Sequence, residues 1–153
     1  NAPSFPPADV VLGESFIPVS FVPDDSERAF YYKSIFECLS VSNLDILKKK
    51  TFDLFGSLPF SFLLLFITRR LSLLCEKTPI VSVVRSGFSF VIVCSKINLK
   101  NIDSFLVSID SFFKHHKTKY TFISSGSFLK IQFSYVAEDY YILLESFIKK
   151  LYV

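Results

Sequence analysis

The chain has 153 residues and a mass of 17.5 kDa, which suits one domain with or without a terminal arm. Half of it is hydrophobic and only 20% is charged, which excludes intrinsic disorder, and three cysteines in a chain this long exclude a disulfide miniprotein. Seventeen Lys and Arg against fourteen Asp and Glu give a net charge of +3, a mild basic bias that suits nucleic acid or an anionic membrane and demonstrates neither.

Nineteen phenylalanines stand beside no methionine and no tryptophan. Serine often separates bulky apolar residues, as in Phe60-Ser61-Phe62 and Phe88-Ser89-Phe90. An AT-rich, organellar genome would produce this bias. No secretory signal or Arg-rich transit pattern opens the sequence, as expected of a chain made inside an organelle or trimmed there. Mean hydropathy is high, at +0.42. The longest apolar run, residues 58–67, is still too short for a span, which needs about 20 residues. It is expected to be a buried helix in a large assembly, with a partner covering apolar surface.

Residues 1–25 hold Pro3, Pro6, Pro7, Pro18 and Pro23 and show no periodicity. Proline fixes φ and removes a donor, so this segment is expected to be extended. Val10, Val11, Leu12, Phe16 and Ile17 favour an arm lying on a partner over a free tail. Asp24-Asp25-Ser26 offers capping oxygens for a helix to about residue 39, with Phe30, Tyr31, Ile35 and Leu39 on its apolar face. Residues 44–55 are open between helix and strand. A helix over 59–76 starts with Pro59 in its first turn.

From Thr78 the period changes. Residues 80–84 and 88–95 predict a hairpin around Arg85-Ser86-Gly87. Ile102, Phe105, Leu106, Ile109, Phe112 and Phe113 form one continuous helical stripe. A second hairpin follows over 120–123 and 128–135, then a helix over 137–151. The expected fold class is α+β: an antiparallel sheet of paired strands in ββαββα order packed on helices. A helical N-terminal part and the extended proline-rich arm precede it. Two units are expected, the arm over 1–25 and a single α+β domain over 26–153, with one sheet face left free for a ligand.

The residues of catalysis are sparse. Cys38, Cys75 and Cys94 have no metal-ligand spacing and are expected to be buried thiols. His115 and His116 are adjacent and share no helix face. No phosphate-cradling glycine loop or nucleophile elbow occurs. No enzyme activity, metal, cofactor or small-molecule substrate is expected. Positive charge is what remains, at Lys48, Lys49, Lys50, Arg69, Arg70, Arg85, Lys96, Lys100, Lys114, Lys117, Lys119, Lys149 and Lys150. These residues suit either a solvated face or phosphate contacts in a ribonucleoprotein.

Several local patterns resemble the ribosomal protein L-five family of the large subunit. They are Leu73 through Arg85 (with Pro79, Ser82 and Arg85 on matching positions), Val93 through Ile97, Ile102 through Ile109, and Leu129 through Leu144. The long basic, glycine-rich stretch of that family is nearly absent. The resemblance implies a structural subunit of an organellar large ribosomal subunit, in the mitochondrial matrix. Its central-protuberance site would bind rRNA, with 5S rRNA and neighbouring ribosomal proteins as further partners, and Ser82 and Arg85 would join the lysines and arginines on RNA. The alternative is a non-RNA accessory subunit of an organellar membrane complex, itself without a transmembrane segment.

Overall fold

Two periodicities run through the chain, and each builds one layer. A computed structural model describes residues 6–97 and 99–152; the first five residues of the expected arm lie outside the described residues. Five strands form one sheet: β1 (Asp9–Val11), β2 (Ile80–Ser86), β3 (Ser89–Ser95), β4 (Tyr120–Ser125) and β5 (Phe128–Ser134). Their order across the sheet is β1-β2-β3-β5-β4. β1 runs parallel to β2 and every other pairing is antiparallel. Among the described residues five α-helices complete an α+β fold: α1 (Asp25–Glu37), α2 (Val41–Phe55), α3 (Phe60–Leu74), α4 (Ile102–His115) and α5 (Tyr140–Lys150).

Alternation sets the faces of the sheet. Val83, Ile92 and Ile131 lie across from one another on β2, β3 and β5, and all are fully buried. Beside them Phe90 and Phe133 stack with ring centroids 5.1 Å apart. α4 and α5 cover this face with Phe105, Ile109, Phe112 and Phe113, and with Tyr140, Leu143, Leu144, Phe147 and Ile148. Val84 and Ile123 point to the other face and are exposed, because among the described residues no helix covers it. Gly87 and Gly126 take the positive φ of the two hairpin turns, at 61° and 56°, where a Cβ would be strained.

α3 explains the high hydropathy. Leu64, Ile67, Leu71 and Leu74 face the sheet-side core. Phe62, Phe66 and Leu73 face a second cluster with Ile17, Val22, Tyr31, Ile35 and Leu44. A helix apolar all round is a buried helix. Its cover comes from this chain's own α1, α2 and N-terminal segment, so the burial predicted for an outside partner is internal. Capping fixes the neighbouring helices: Asp24 accepts from Ser26 and Glu27 N–H, Ser40 from Asn43 N–H and Asn101 from Ser104 N–H. The Ser40 cap and Gly56 after Phe55 settle residues 41–55 as helix.

The N-terminal segment differs from an arm reaching for a partner. Ala8, Val10, Leu12, Ile17 and Val22 are all buried within the domain. β1 adds a parallel edge to a sheet expected to be wholly antiparallel, and Ser72 Oγ donates to the Ala8 carbonyl at 2.6 Å. On α1 the buried face holds Tyr31 and Ile35, while Phe30 and Phe36 are exposed, as is Leu39, which lies beyond the end of the helix.

Burial pushes the Cys75 and Cys94 thiols from the ordinary 9.0 up to about 12. Below pH 9 both thiols are protonated whether the chain is folded or unfolded, so this contribution is flat there. Between about pH 9 and 12 the unfolded chain loses these protons first and stability falls. Thiol labelling at pH 8 is expected to modify Cys38 alone in the native chain, with Cys75 and Cys94 reacting only after denaturant is added. Rapid native labelling of all three would contradict the packing.

Candidate functional site

The last turns of α1 lie against α3 because Tyr31 and Ile35 pack on Phe62 and Phe66. β1 lies on the other side of α3 through the Ser72–Ala8 hydrogen bond. Between them runs a mainly apolar groove of about 840 Å³, lined chiefly by Ala8, Val10, Tyr32, Ile35, Phe36 and Leu65. Pockets of this size and polarity take apolar ligands or protein side chains. Tyr32 is held in place by its hydroxyl, which accepts the Ile17 N–H at 2.7 Å. Lys33, Arg69 and Asp9 supply the charge on the lining, and no nucleophile–base pair is formed there.

Arg69 fixes the end of α1. Its guanidinium donates to the Cys38 carbonyl through Nη2 at 2.8 Å and Nε at 3.3 Å, and lies 5.4 Å from the Phe36 ring centroid. The Cys38 carbonyl is one of the orphan acceptors at a helix C-terminus, where a cation also opposes the negative end of the dipole. Arg70 is placed next to it on α3 and ties three helices together. Nη1 meets Asp45 of α2 at 2.8 Å and Nε meets Glu145 of α5 at 2.6 Å. Those carboxylates raise the pKa of the guanidinium against the opposing effect of burial, so the charge is permanent.

Arg85 points inward. Nη1 donates to the Leu12 carbonyl at 2.9 Å, and the guanidinium lies 4.3 Å from the Tyr140 ring centroid. Ser82 is half-buried on the helix-free sheet face, across from Asp9 and Val93. Lys48 lies over the Phe52 ring at 5.9 Å, with Lys49 and Lys50 exposed beside it on α2. Lys96 follows β3 and is half-buried.

Three of the sequence-predicted residues are brought together, since Lys114, Lys117 and Lys119 line one shallow depression with Tyr120 at the α4–β4 corner. Lys114 pairs with Asp110 at 2.9 Å, and hydrogen bonds from Lys114 and Tyr120 hold the Asp110 carboxyl below its ordinary value. The remaining basic residues are scattered over separate surfaces or engaged internally. Among the described residues no group of His, Cys, Asp or Glu is arranged to hold a metal ion. Sequence reasoning missed Tyr32, Phe36 and Leu65 as groove residues. The available signal was Phe36, an apolar residue of α1 outside the stripe that packs inward.

A family profile for the TRCF domain matches residues 13–105. No curated protein matches the chain. A solved structure described as the C-terminal domain of transcription-repair coupling factor superposes with a TM-score of 0.76. It is 19% identical, and the match covers 95% of this chain and 92% of that one. These findings overturn the resemblance to the ribosomal L-five family. With it go the roles of organellar ribosomal subunit and membrane-complex accessory subunit, and rRNA, 5S rRNA and ribosomal proteins as partners. The physical reason is that an apolar helical stripe beside paired strands recurs in any two-layer α+β domain. Pro79 and Arg85, which carried the match, have local tasks here: the Pro79 carbonyl accepts Ser95 N–H at 2.9 Å, and Arg85 anchors the N-terminal segment.

Replacing Arg70 tests the helix tie. Arg70→Met is expected to lower unfolding free energy by about 1–2 kcal/mol in urea, because the pairs are partly exposed. In a double-mutant cycle with Glu145→Gln, a coupling of about 0.5–1 kcal/mol is expected. Strict additivity would show that the ion pair contributes nothing.

Proposed function

This chain belongs to the TRCF domain family, and from that premise we propose that it is a non-catalytic domain of a protein coupling transcription to DNA repair, acting by docking an apolar protein segment in the α1–α3–β1 groove. The observation that carries this is the overlap of family and geometry. The matched residues 13–105 contain the whole of α1 and α3, whose side chains make the groove's apolar lining together with Ala8 and Val10. The name of the superposed structure supports a place in transcription-coupled repair. A non-catalytic role is supported by the described lining of the groove, which contains neither His nor Cys.

The groove favours a protein over a nucleic acid. Its walls are Tyr32, Ile35, Phe36 and Leu65, and Leu39, just past the end of α1, adds another exposed apolar side chain. Exposed apolar residues rimming a groove suit a protein interaction site, and aromatics such as Phe36, 74% exposed, are enriched at such interfaces.

The test measures removal of ultraviolet lesions from transcribed and untranscribed strands in cells making the intact protein. Phe36→Asp is expected to bring repair of the transcribed strand down toward the untranscribed rate while the thermal melt of the purified chain is unchanged. If deleting residues 13–105 leaves the strand bias intact, the role in coupling fails. If that deletion abolishes the bias and Phe36→Asp does not alter it, the groove is not the docking site.

A further inference from the structure

The two edges of the sheet are treated differently. β1 is three residues long, follows Pro6-Pro7 and carries the charge of Asp9. Its Ala8 carbonyl is taken by Ser72, and α3 packs along it. Short length, proline, charge and a covering helix are the ordinary ways of blunting an edge. β4 has none of them. Its six residues, Tyr-Thr-Phe-Ile-Ser-Ser, contain no charge and no proline, and five of them are exposed. Phe122 is 44% and Ile123 52% exposed, on opposite faces of the strand.

The hydrogen-bond inventory of that edge follows from the hairpin. Ser125 faces Phe128 across the two-residue turn Gly126-Ser127, so this flanking pair is hydrogen-bonded. Counting back by twos, the amides and carbonyls of Thr121, Ile123 and Ser125 face β5. Those of Tyr120, Phe122 and Ser124 face outward. The far side of β5 agrees: the Tyr135 N–H and the Ser127 carbonyl both bond toward the β3 side, as odd-numbered residues of that strand must.

We infer that β4 is a self-complementary docking edge that pairs antiparallel with β4 of a second copy about a two-fold axis through Phe122. In that register Phe122 meets Phe122 of the second copy, and Tyr120 meets Ser124. All the outward-facing residues are then hydrogen-bonded pairs, each exchanging both of its bonds. The register keeps core-side residues on one side of the joined sheet, as the period of two demands. Charge selects the same arrangement. Lys117 and Lys119 precede the strand and Ser124, Ser125 and Ser127 end it, so antiparallel pairing sets each cationic end against the other copy's neutral, hydroxyl-rich turn. Parallel pairing would set lysine on lysine. A closed isologous contact of this kind stops at two copies. The contact is smaller than the standard interface of roughly 1,600 Å² in total, so the dimer is reversible and depends on concentration.

Sedimentation equilibrium of the 153-residue chain from about 10 µM to 1 mM, the range in which small interfaces associate, reads the proposal. A reversible monomer–dimer equilibrium is expected. Phe122→Lys and Phe122→Glu alone should each be monomeric, and an equimolar mixture of the two should dimerise again. In the unaltered chain, amide hydrogen exchange at Tyr120, Phe122 and Ser124 should slow at least several-fold as concentration rises, while Thr121, Ile123 and Ser125 stay constant. This second measurement needs no variant. Monomer at every concentration with unchanged exchange overturns the proposal and leaves the edge to a strand of another protein. A dimer that survives Phe122→Lys, or whose exchange protection lies outside β4, overturns it as well.

Discussion

Everything in this domain depends on the burial of α3 from both sides. One row of its side chains, Leu64, Ile67, Leu71 and Leu74, closes the sheet-side core, and another, Phe62, Phe66 and Leu73, closes the core under α1 and α2. Two clusters that would each be small for a stable unit share one wall. Burying a large apolar side chain contributes about 1.5–3 kcal/mol, and most of the turns of α3 bury one on each side. Much of the chain's high hydropathy is therefore accounted for by this internal layering.

Polar groups follow the same constraint. Arg69, Arg70 and Arg85 reach from the apolar layers to backbone carbonyls, carboxylates and aromatic faces of this same chain. Each joins segments distant in sequence: α1 to α3, α2 to α5 through α3, and the N-terminal segment to β2. Arginine suits this work because its planar fork carries several donors and its charge is weakly hydrated. These three arginines, which in the sequence look like nucleic-acid contacts, are rivets of the fold, whereas Lys49, Lys50, Lys114, Lys117 and Lys119 are exposed. The exposed residues also include apolar ones: Phe36 on α1, Leu39 just past its end, and the uncharged edge of β4. Both are of the kind that suits protein partners.

Much of the architecture was legible in the letters. The stripe from Ile102 to Phe113 gave α4 with its ends close to place, and the glycine turns marked both hairpins. Residues 44–55 were ambiguous because the Lys48-Lys49-Lys50 run interrupts the apolar pattern; the Ser40 cap is what decides it. β1 was invisible because three residues cannot show a period, and its parallel pairing to β2 is a contact across about seventy positions. The groove was missed for a related reason. It is made where α1, α3 and β1 meet, so none of its walls announces itself locally. The basic residues misled because sequence shows that a guanidinium exists but not which way it points.

Native-state hydrogen exchange of Phe66→Ala tests the shared wall most directly. Phe66 touches only the helical cluster, and its truncation is expected to remove about 3–5 kcal/mol. If α3 binds the two layers into one cooperative unit, the most protected amides of β3 and β5 lose protection by the same amount as those of α1 and α2. Helical amides that exchange freely while the sheet keeps its original protection would contradict the account.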